Sequence, residues 1–215
     1  MAQPDLFAPP PPARESLSPG ALLLRGFALE AAPDLLAGIA AIAAAAPFRH
    51  MVTPGGFTMS VAMTSCGALG WVTDRRGYRY TPRDPDSGAA WPAMPEAFRA
   101  LAERAAAEAG FPGFAPDTCL INRYLPGAKL ALHQDKDERD TGAPIVSVSL
   151  GLPATFQWGG LQRGDPVRRL GLDHGDVLAW GGPSRLFHHG ILALKPGRHP
   201  ATGAARLNLT FRRAG

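Results

Sequence analysis

Two residues near the middle of this 215-residue chain are spaced so that they could share a metal ion. His133 and Asp135 stand two positions apart, and on an extended segment this spacing directs both side chains to one face. A neutral imidazole and a carboxylate on one face are two of the three protein ligands that bind non-haem Fe(II). The pair alone is a weak signal, because a polar pair at a strand end accounts for it equally well.

A third ligand has to come from a distant part of the chain, and the tandem histidines His188 and His189 offer one. Consecutive strand residues point to opposite faces, so only one of the two can face the metal. The alternative for each single histidine is a buried structural role. The other histidines lie in turn-rich stretches and are predicted to be surface residues: His50, His174 and His199.

The segment Arg206–Arg212 alternates strictly between polar and apolar residues, as a strand with two different faces does. Its polar face consists of Arg206, Asn208, Thr210 and Arg212. If this face lines the lumen of a barrel, its two arginines need anionic partners. A small dicarboxylate beside an iron would satisfy them, and Asn122 and Tyr124 form a second polar pair with the same two-residue spacing. An iron triad with a carboxylate clamp is typical of a 2-oxoglutarate-dependent oxygenase.

The elements that must position these residues are two helices, a β-rich flap and a series of short strands. Proline starts and apolar periodicity predict helices over Pro33–Ala46 and Pro95–Gly110. After Gly110, strands are predicted at residues 119–125, 145–150, 155–158, 168–172, 176–180, 185–191 and 206–212. Short strands separated by Gly, Pro and Asp turns favour a sandwich or barrel of the jelly-roll type.

Several blocks of the chain resemble the bacterial AlkB family of Fe(II)/2-oxoglutarate dioxygenases, which reverse N-alkylation of DNA and RNA bases. In the C-terminal half the blocks are Cys119–Tyr124, Pro126–Leu130, Leu132–Glu138, Pro144–Pro153 and Asn208–Arg212. In the flap they are Met51–Gly56 and Thr58–Met63. The resemblance covers roughly residues 20 to 213 and leaves out the Pro-rich N-terminus.

The resemblance implies a fold that is mainly β with flanking helices (α+β). Its core is expected to be a double-stranded β-helix, or jelly roll, with an N-terminal nucleotide-recognition lid. The corresponding domain prediction is a Pro-rich mobile arm over residues 1–20, helices and lid over 21–115, and the catalytic core over 116–215.

The resemblance also implies roles for particular residues. The iron ligands, which are also the catalytic residues, would be His133, Asp135 and His189. The 2-oxoglutarate site would consist of Asn122, Tyr124, Arg206, Asn208, Thr210 and Arg212. Contacts to the alkylated base or its strand would come from Trp71, Tyr78, Tyr80, Asp137 and Arg163. The chain departs from the bacterial prototype of the family at Phe57 and His188, where the prototype has tyrosines.

The implied activity is oxidative demethylation of bases such as 1-methyladenine and 3-methylcytosine in DNA. The N-methyl group would be hydroxylated with Fe(II), 2-oxoglutarate and O2, releasing formaldehyde, succinate and CO2. Single-stranded DNA is the expected preference, with duplex DNA and RNA as further substrates. Two alternatives stay open: an oxygenase acting on RNA, protein or a small molecule, and a catalytically silent β-barrel that binds nucleic acid.

Charge and composition are compatible with a nucleic-acid partner. The chain has 22 basic and 18 acidic residues, and arginine strongly outnumbers lysine, which base-composition bias in the genome explains equally well. A cluster around the flap tyrosines could contact a strand: Arg75, Arg76, Arg79 and Arg83. Without a membrane-length apolar run, a secretory leader or a disulfide framework, a reduced, soluble, cytoplasmic chain is expected. The expected oligomeric state is a monomer.

Overall fold

The computed structural model describes residues 14–215, which form two helices and fourteen strands in that part of the chain. The helices are α1 (Ala32–Ala45) and α2 (Glu96–Glu108). The strands are β1 (Arg14–Ser18), β2 (Ala21–Leu24), β3 (Arg49–Val52), β4 (Thr58–Gly67), β5 (Gly70–Asp74), β6 (Gly77–Thr81), β7 (Thr118–Tyr124), β8 (Leu130–His133), β9 (Ile145–Gly151), β10 (Ala154–Trp158), β11 (Arg168–Leu172), β12 (Val177–Trp180), β13 (His189–Ile191) and β14 (Arg206–Arg212).

The strands form two main antiparallel sheets and a separate hairpin. The larger sheet has the order β1-β2-β12-β9-β14-β7-β4-β3, and the smaller has the order β11-β10-β13-β8. A cluster of buried side chains from both sheets, including Trp180 and Tyr124 of the larger and Trp158 of the smaller, fills part of the space between them. The predicted jelly-roll core is therefore confirmed, and β5 with β6 makes the hairpin.

Both predicted helices are present, and they cover the outer face of the larger sheet. Leu35 and Ile39 of α1 share a buried apolar cluster with Phe98 of α2 and with Leu209 and Phe211 of β14. Proline explains the helix limits, since Pro33 suits a first turn and Pro47 cannot continue a helix. No helix within residues 14–215 is long and apolar enough to cross a membrane.

This helix layer determines which way β14 faces. Because Leu209 and Phe211 pack outward against the helices, the polar residues of the same strand point into the space between the two sheets. They are buried there: Arg206, Asn208, Thr210 and Arg212. The prediction that the polar face of this strand lines an interior space is confirmed.

The N-terminal part is more closely joined to the core than the predicted domain division implies. Residues 14–18 form β1, which pairs with β2, rather than the end of a mobile arm, and residues 1–13 lie outside the described residues. β2 pairs with β12, and β4 pairs with β7. One sheet thus crosses the predicted boundary between residues 115 and 116, because strands from both sides are hydrogen-bonded in it.

The segment before the tandem histidines also differs from its prediction. A strand over residues 185–191 was expected, but only His189–Ile191 is extended, preceded by a 3₁₀ turn at Gly182–Ser184. The turn begins at a Gly-Gly-Pro sequence, in which glycine permits the positive φ of 53° observed at Gly182. Arg185 follows the turn directly, so its side chain is directed by a turn rather than by a strand.

Substitution of the aromatic residue that joins α2 to β14 should strongly destabilise the fold. The fully buried ring of Phe98 meets that of Phe211 edge to face, with centroids 6.0 Å apart. We expect Phe98→Ala to lower the free energy of unfolding by about 3–5 kcal/mol, because a cavity replaces the ring. Denaturant unfolding measures this, with Phe57→Ala, at a ring that is 76% exposed, as the matched control. Equal losses in the two variants would contradict the packing described.

Candidate active site

Strand pairing in the smaller sheet brings two predicted metal ligands together. His133 at the end of β8 stands directly opposite His189 of β13. A Cβ atom on Gly190 would lie 2.7 Å from the carbonyl oxygen of Leu130, so glycine permits this close approach of the two strands. Asp135 follows two residues after β8, and the ligand atoms of all three side chains lie within 4.8 Å of one another. His133, Asp135 and His189 form a metal site.

Backbone hydrogen bonds orient both imidazoles towards the carboxylate. The Nδ1 atom of His133 lies 2.9 Å from the carbonyl of Ala131, and that of His189 lies 3.0 Å from the carbonyl of Phe187. Nδ1 therefore carries the proton and donates, which leaves both Nε2 lone pairs free for a metal. These Nε2 atoms lie 3.4 and 3.8 Å from the carboxylate oxygens of Asp135.

The carboxylate of Asp135 is itself held by an arginine from the larger sheet. Arg212 donates from Nε and Nη2 to Oδ2 of Asp135, at 2.9 and 2.6 Å. Oδ1 then faces Nε2 of His133. Although burial alone would raise the pKa of Asp135, the charge of Arg212 and the two imidazoles hold it well below its usual range. The site therefore offers an ionised carboxylate at neutral pH.

The two imidazoles respond differently to this environment. Burial and the neighbouring charge of His133 lower the pKa of His189 to about 4, so this ring is neutral and able to ligate at neutral pH. Burial also acts to lower the pKa of His133, but the hydrogen bond and charge of Asp135 outweigh it, and the net shift is upward. A divalent cation that binds His133 would displace the proton from Nε2 of its imidazole.

The structure distinguishes between the tandem histidines. His189 joins the metal cluster, whereas His188 has its Nδ1 atom 3.1 Å from the carbonyl of Gly160, in the loop after β10. The two side chains point apart, as neighbours in an extended segment must. The histidines predicted to lie on the surface are exposed or half-buried: His50, His174 and His199.

The interior polar face of β14 includes an arginine with unused donors. Arg206 is only 1% exposed. Of the three nitrogens in its guanidinium group, Nη2 donates to Oγ of Ser149 at 3.0 Å. Nε and Nη1 of Arg206 are buried without a hydrogen-bond partner among residues 14–215. Burial lowers the pKa of this guanidinium, although Tyr124, over whose ring it lies at 4.9 Å, acts in the opposite direction. Unpaired buried donors of this kind suit a carboxylate of a bound acid.

The other residues predicted to bind 2-oxoglutarate lie on the same surface. Asn122 of β7 is directly opposite Asn208 of β14, and its amide donates to Oδ1 of Asn208 at 3.0 Å. Thr210 donates to the same oxygen, also at 3.0 Å. Asn208 in turn donates to Oγ of Ser147 at 2.8 Å. These contacts make a rigid polar floor between Arg206 and the metal site.

The predicted base-contacting residues connect the β5–β6 hairpin to the segment after Asp135. Trp71 and Tyr78 stack with ring centroids 5.7 Å apart, and Nε1 of Trp71 donates to Asp137 at 2.8 Å. Tyr80 donates from its hydroxyl to Glu138 at 2.6 Å. The hairpin aromatics are therefore attached to residues two and three positions beyond the metal ligand Asp135.

The remaining residues of the flap and the predicted contact set lie around this hairpin and the metal strand. Arg163 donates to the carbonyl of Leu132, next to His133, at 3.0 Å. Phe57 lies in the turn between β3 and β4 with its ring exposed to solvent. Tyr78 is 49% exposed, so part of the aromatic surface of the hairpin faces solvent.

Comparison with known proteins identifies the family. The sequence profile of the 2OG-Fe(II) oxygenase superfamily matches residues 20–212. The chain is 63% identical over 211 residues to the alpha-ketoglutarate-dependent dioxygenase AlkB of Escherichia coli (strain K12), covering 98% of both proteins. This chain belongs to the AlkB family. The solved structure of OsALKBH1 has the same fold, with a TM-score of 0.84 at 32% identity over 94% of this chain and all of that one.

A further AlkB-family relative has a nucleic acid in its name. The chain is 34% identical over 170 residues to the DNA N(6)-methyladenine demethylase ALKBH1C of Arabidopsis thaliana, covering 67% of this chain and 37% of that protein. As a member of the AlkB family, the chain is a dioxygenase that uses Fe(II), 2-oxoglutarate and O2. Two imidazoles and a carboxylate suit Fe(II), and the unpaired donors of Arg206 suit the acid.

Two residues that support this AlkB-family site were not singled out from the sequence. Gln134, between the ligands His133 and Asp135, donates to the carbonyl of Leu186 at 2.6 Å and so joins the metal segment to the chain before His189. Arg185 is buried and contacts the same segment. The available signal for Arg185 was a lone cation four positions before His189, which is insufficient without the fold.

The tandem histidines provide a direct test of the metal site. We expect His189→Ala to weaken binding of Fe(II), or of Co(II) as a spectroscopic probe, by about a hundredfold or more, because a ligand is lost. His188→Ala should bind the metal as the unaltered protein does, since its ring points towards Gly160. Anaerobic metal titration measures both. A large loss of metal binding in His188→Ala, with normal binding in His189→Ala, would show that His188 is the ligand and would contradict the assignment to His189.

Proposed function

We propose that this enzyme demethylates N-alkylated bases in DNA, with 1-methyladenine and 3-methylcytosine as substrates. The observation that carries the proposal is the hydrogen bond from Trp71 to Asp137, which attaches the stacked ring pair two residues from the metal ligand Asp135. A base held against these rings is then close to the metal site. The N-methyl group is released as formaldehyde, with succinate and CO2 as co-products.

The polar interior is the proposed binding site for 2-oxoglutarate. Arg206 binds one carboxylate through an unpaired donor of its guanidinium group, and Arg212, whose Nη1 is also unpaired, binds the end nearer the metal. The polar floor next to them would be completed by Asn122, Tyr124, Asn208 and Thr210. When bound, Fe(II) with 2-oxoglutarate and O2 supplies the oxidation of the methyl carbon.

The hairpin explains a preference for damaged bases. 1-Methyladenine and 3-methylcytosine carry a positive charge, which an aromatic face stabilises by about 0.5–2 kcal/mol depending on desolvation. Trp71 and Tyr78 supply the faces, and the carboxylate of Asp137 beside them supplies a negative charge. Tyr80 supports the hairpin through Glu138, and Arg163 lies near the metal strand, where it can contact the strand that carries the base.

The substrate context follows from the cost of exposing a base. A methylated base that cannot pair costs less to extrude, and a single strand requires no unpairing at all. We therefore propose single-stranded DNA as the preferred form, with duplex DNA and RNA as further substrates. We also propose that the enzyme is monomeric. A cytoplasmic location agrees with the two free cysteines, Cys66 and Cys119.

The central test is formaldehyde release from an oligonucleotide that carries one 3-methylcytosine. We expect release that requires Fe(II), 2-oxoglutarate and O2 and that leaves unmodified cytosine. Arg206→Met should raise the KM for 2-oxoglutarate at least about tenfold, because a buried charge-assisted contact is lost, and Arg198→Met, at an exposed site, serves as the control.

The outcomes of this test separate the candidate functions. Succinate formed without formaldehyde would contradict a DNA substrate while leaving the oxygenase chemistry intact. Faster turnover of methylated RNA, of a peptide or of a metabolite would identify that class, rather than DNA, as the substrate. Failure to bind 2-oxoglutarate at all would indicate a silent nucleic-acid-binding barrel.

The arginines of the hairpin provide a second test, on strand binding. Asp74 bonds Arg79 at 2.7 Å and lies 3.4 Å from Arg76, so part of this positive charge is neutralised, whereas Arg75 is exposed. We expect Arg75→Ala to weaken oligonucleotide binding and to reduce the slope of log K against log salt by about 1. Arg99→Ala on α2, behind the larger sheet, is the control. An unchanged slope in Arg75→Ala would contradict a phosphate contact.

A further inference from the structure

A buried arginine outside the predicted site residues contacts the segment that carries a metal ligand. Arg185 is 3% exposed and uses all three nitrogens of its guanidinium group as donors. Nη1 donates to the carbonyl of Asp135 at 2.7 Å, and Nε donates to the carbonyl of Ala143 at 2.9 Å. Nη2 donates to the carboxylate of Glu138 at 3.1 Å. One rigid group thus bridges three points of the chain between β8 and β9.

This chain segment has little regular structure of its own to hold it. Residues 134–138 belong to neither a strand nor a helix, yet they include Asp135, whose carboxylate must meet two imidazoles. Because Arg185 fixes the backbone carbonyl of Asp135, it limits rotation of the peptide units on which the carboxylate depends. Its planar fork allows several simultaneous bonds, which a lysine cannot reproduce.

Arg185 also determines how much of Arg212 is available to a ligand. The carboxylate of Glu138, 2% exposed, lies 3.1 Å from Arg185 and 3.2 Å from Arg212. Arg212 divides its donors between Glu138 and Asp135 and keeps Nη1 unpaired. Without Arg185, Arg212 would be the one of these two arginines left to neutralise the buried carboxylate of Glu138. Arg212 would then be drawn towards Glu138 and away from Asp135.

We infer that Arg185 is a positioning residue, which holds the metal ligand Asp135 and preserves Arg212 for the co-substrate. It contacts neither the metal ligand atoms nor the proposed 2-oxoglutarate site directly. The part that concerns the co-substrate rests on the proposed function of Arg212. A residue that served only stability would change unfolding without changing the affinity of the folded protein for either ligand.

The test compares two substitutions of Arg185 with a nearby control. Arg185→Lys keeps the positive charge opposite Glu138 but loses the fork, and Arg185→Met removes both. Arg213→Met breaks only an exposed pair, 3.8 Å from Asp140 in the same region. For each folded variant, anaerobic titration measures binding of Co(II), and then binding of 2-oxoglutarate to the Co(II) protein. Unfolding by denaturant is measured in parallel.

We expect Arg185→Lys to weaken Co(II) binding and 2-oxoglutarate binding at least about tenfold each, and Arg185→Met to weaken them more. Arg213→Met should bind both ligands normally. The double variant Arg185→Met/Glu138→Gln should recover part of the 2-oxoglutarate affinity lost in Arg185→Met, because the uncompensated carboxylate is gone. Recovery of this kind distinguishes positioning of Arg212 from simple loss of packing.

Normal binding of both ligands in folded Arg185→Lys would overturn the inference, even if the protein were less stable. No recovery in the double variant would overturn the part that concerns Arg212. These titrations contain no nucleic acid, so they are independent of the substrate. Absence of formaldehyde release from methylated DNA would contradict the proposed function, and the binding losses would still stand.

Discussion

The ion pair between Arg212 and Asp135 joins the two sheets at the point where chemistry takes place. Arg212 ends β14 of the larger sheet, and Asp135 follows β8 of the smaller one. Both side chains are buried, and loss of one partner of a buried pair costs about 3–5 kcal/mol because a charge is left uncompensated. The pair therefore fixes the distance between the metal ligands and the polar floor, and both depend on it.

A polar interior of this kind requires stability from elsewhere. The space between the sheets holds two buried arginines, and Arg206 keeps donors unpaired, which is unfavourable in the protein alone. Compensating apolar packing lies in part between the sheets and in part on the outer face, where α1 and α2 cover the larger sheet. The helices thus do more than flank the core, because they direct the apolar side of β14 outward and leave its polar side for binding.

The sequence predicts which face of a strand is polar and where the helices lie better than it predicts contacts between distant residues. Strict alternation over Arg206–Arg212 was enough to identify a polar lining, and proline positions were enough for both helices. Residue spacing alone left the choice between His188 and His189 open, although the family resemblance implied His189. The physical reason is the register of β13 against β8, which depends on residues more than fifty positions apart. The bonds of Arg185 required the 3₁₀ turn that replaces a predicted strand. Long-range register and turn geometry have no local signature, so these features appear only in the fold.

The most direct measurement is a crystal structure with Mn(II), as a redox-stable substitute for Fe(II), and 2-oxoglutarate. The account predicts Mn(II) coordinated by Nε2 of His133, Nε2 of His189 and the carboxylate of Asp135. It also predicts a carboxylate of 2-oxoglutarate bonded to at least one of the two unpaired donors of Arg206, Nε and Nη1. A metal bound elsewhere, or a co-substrate that leaves both of these donors unpaired, would contradict it.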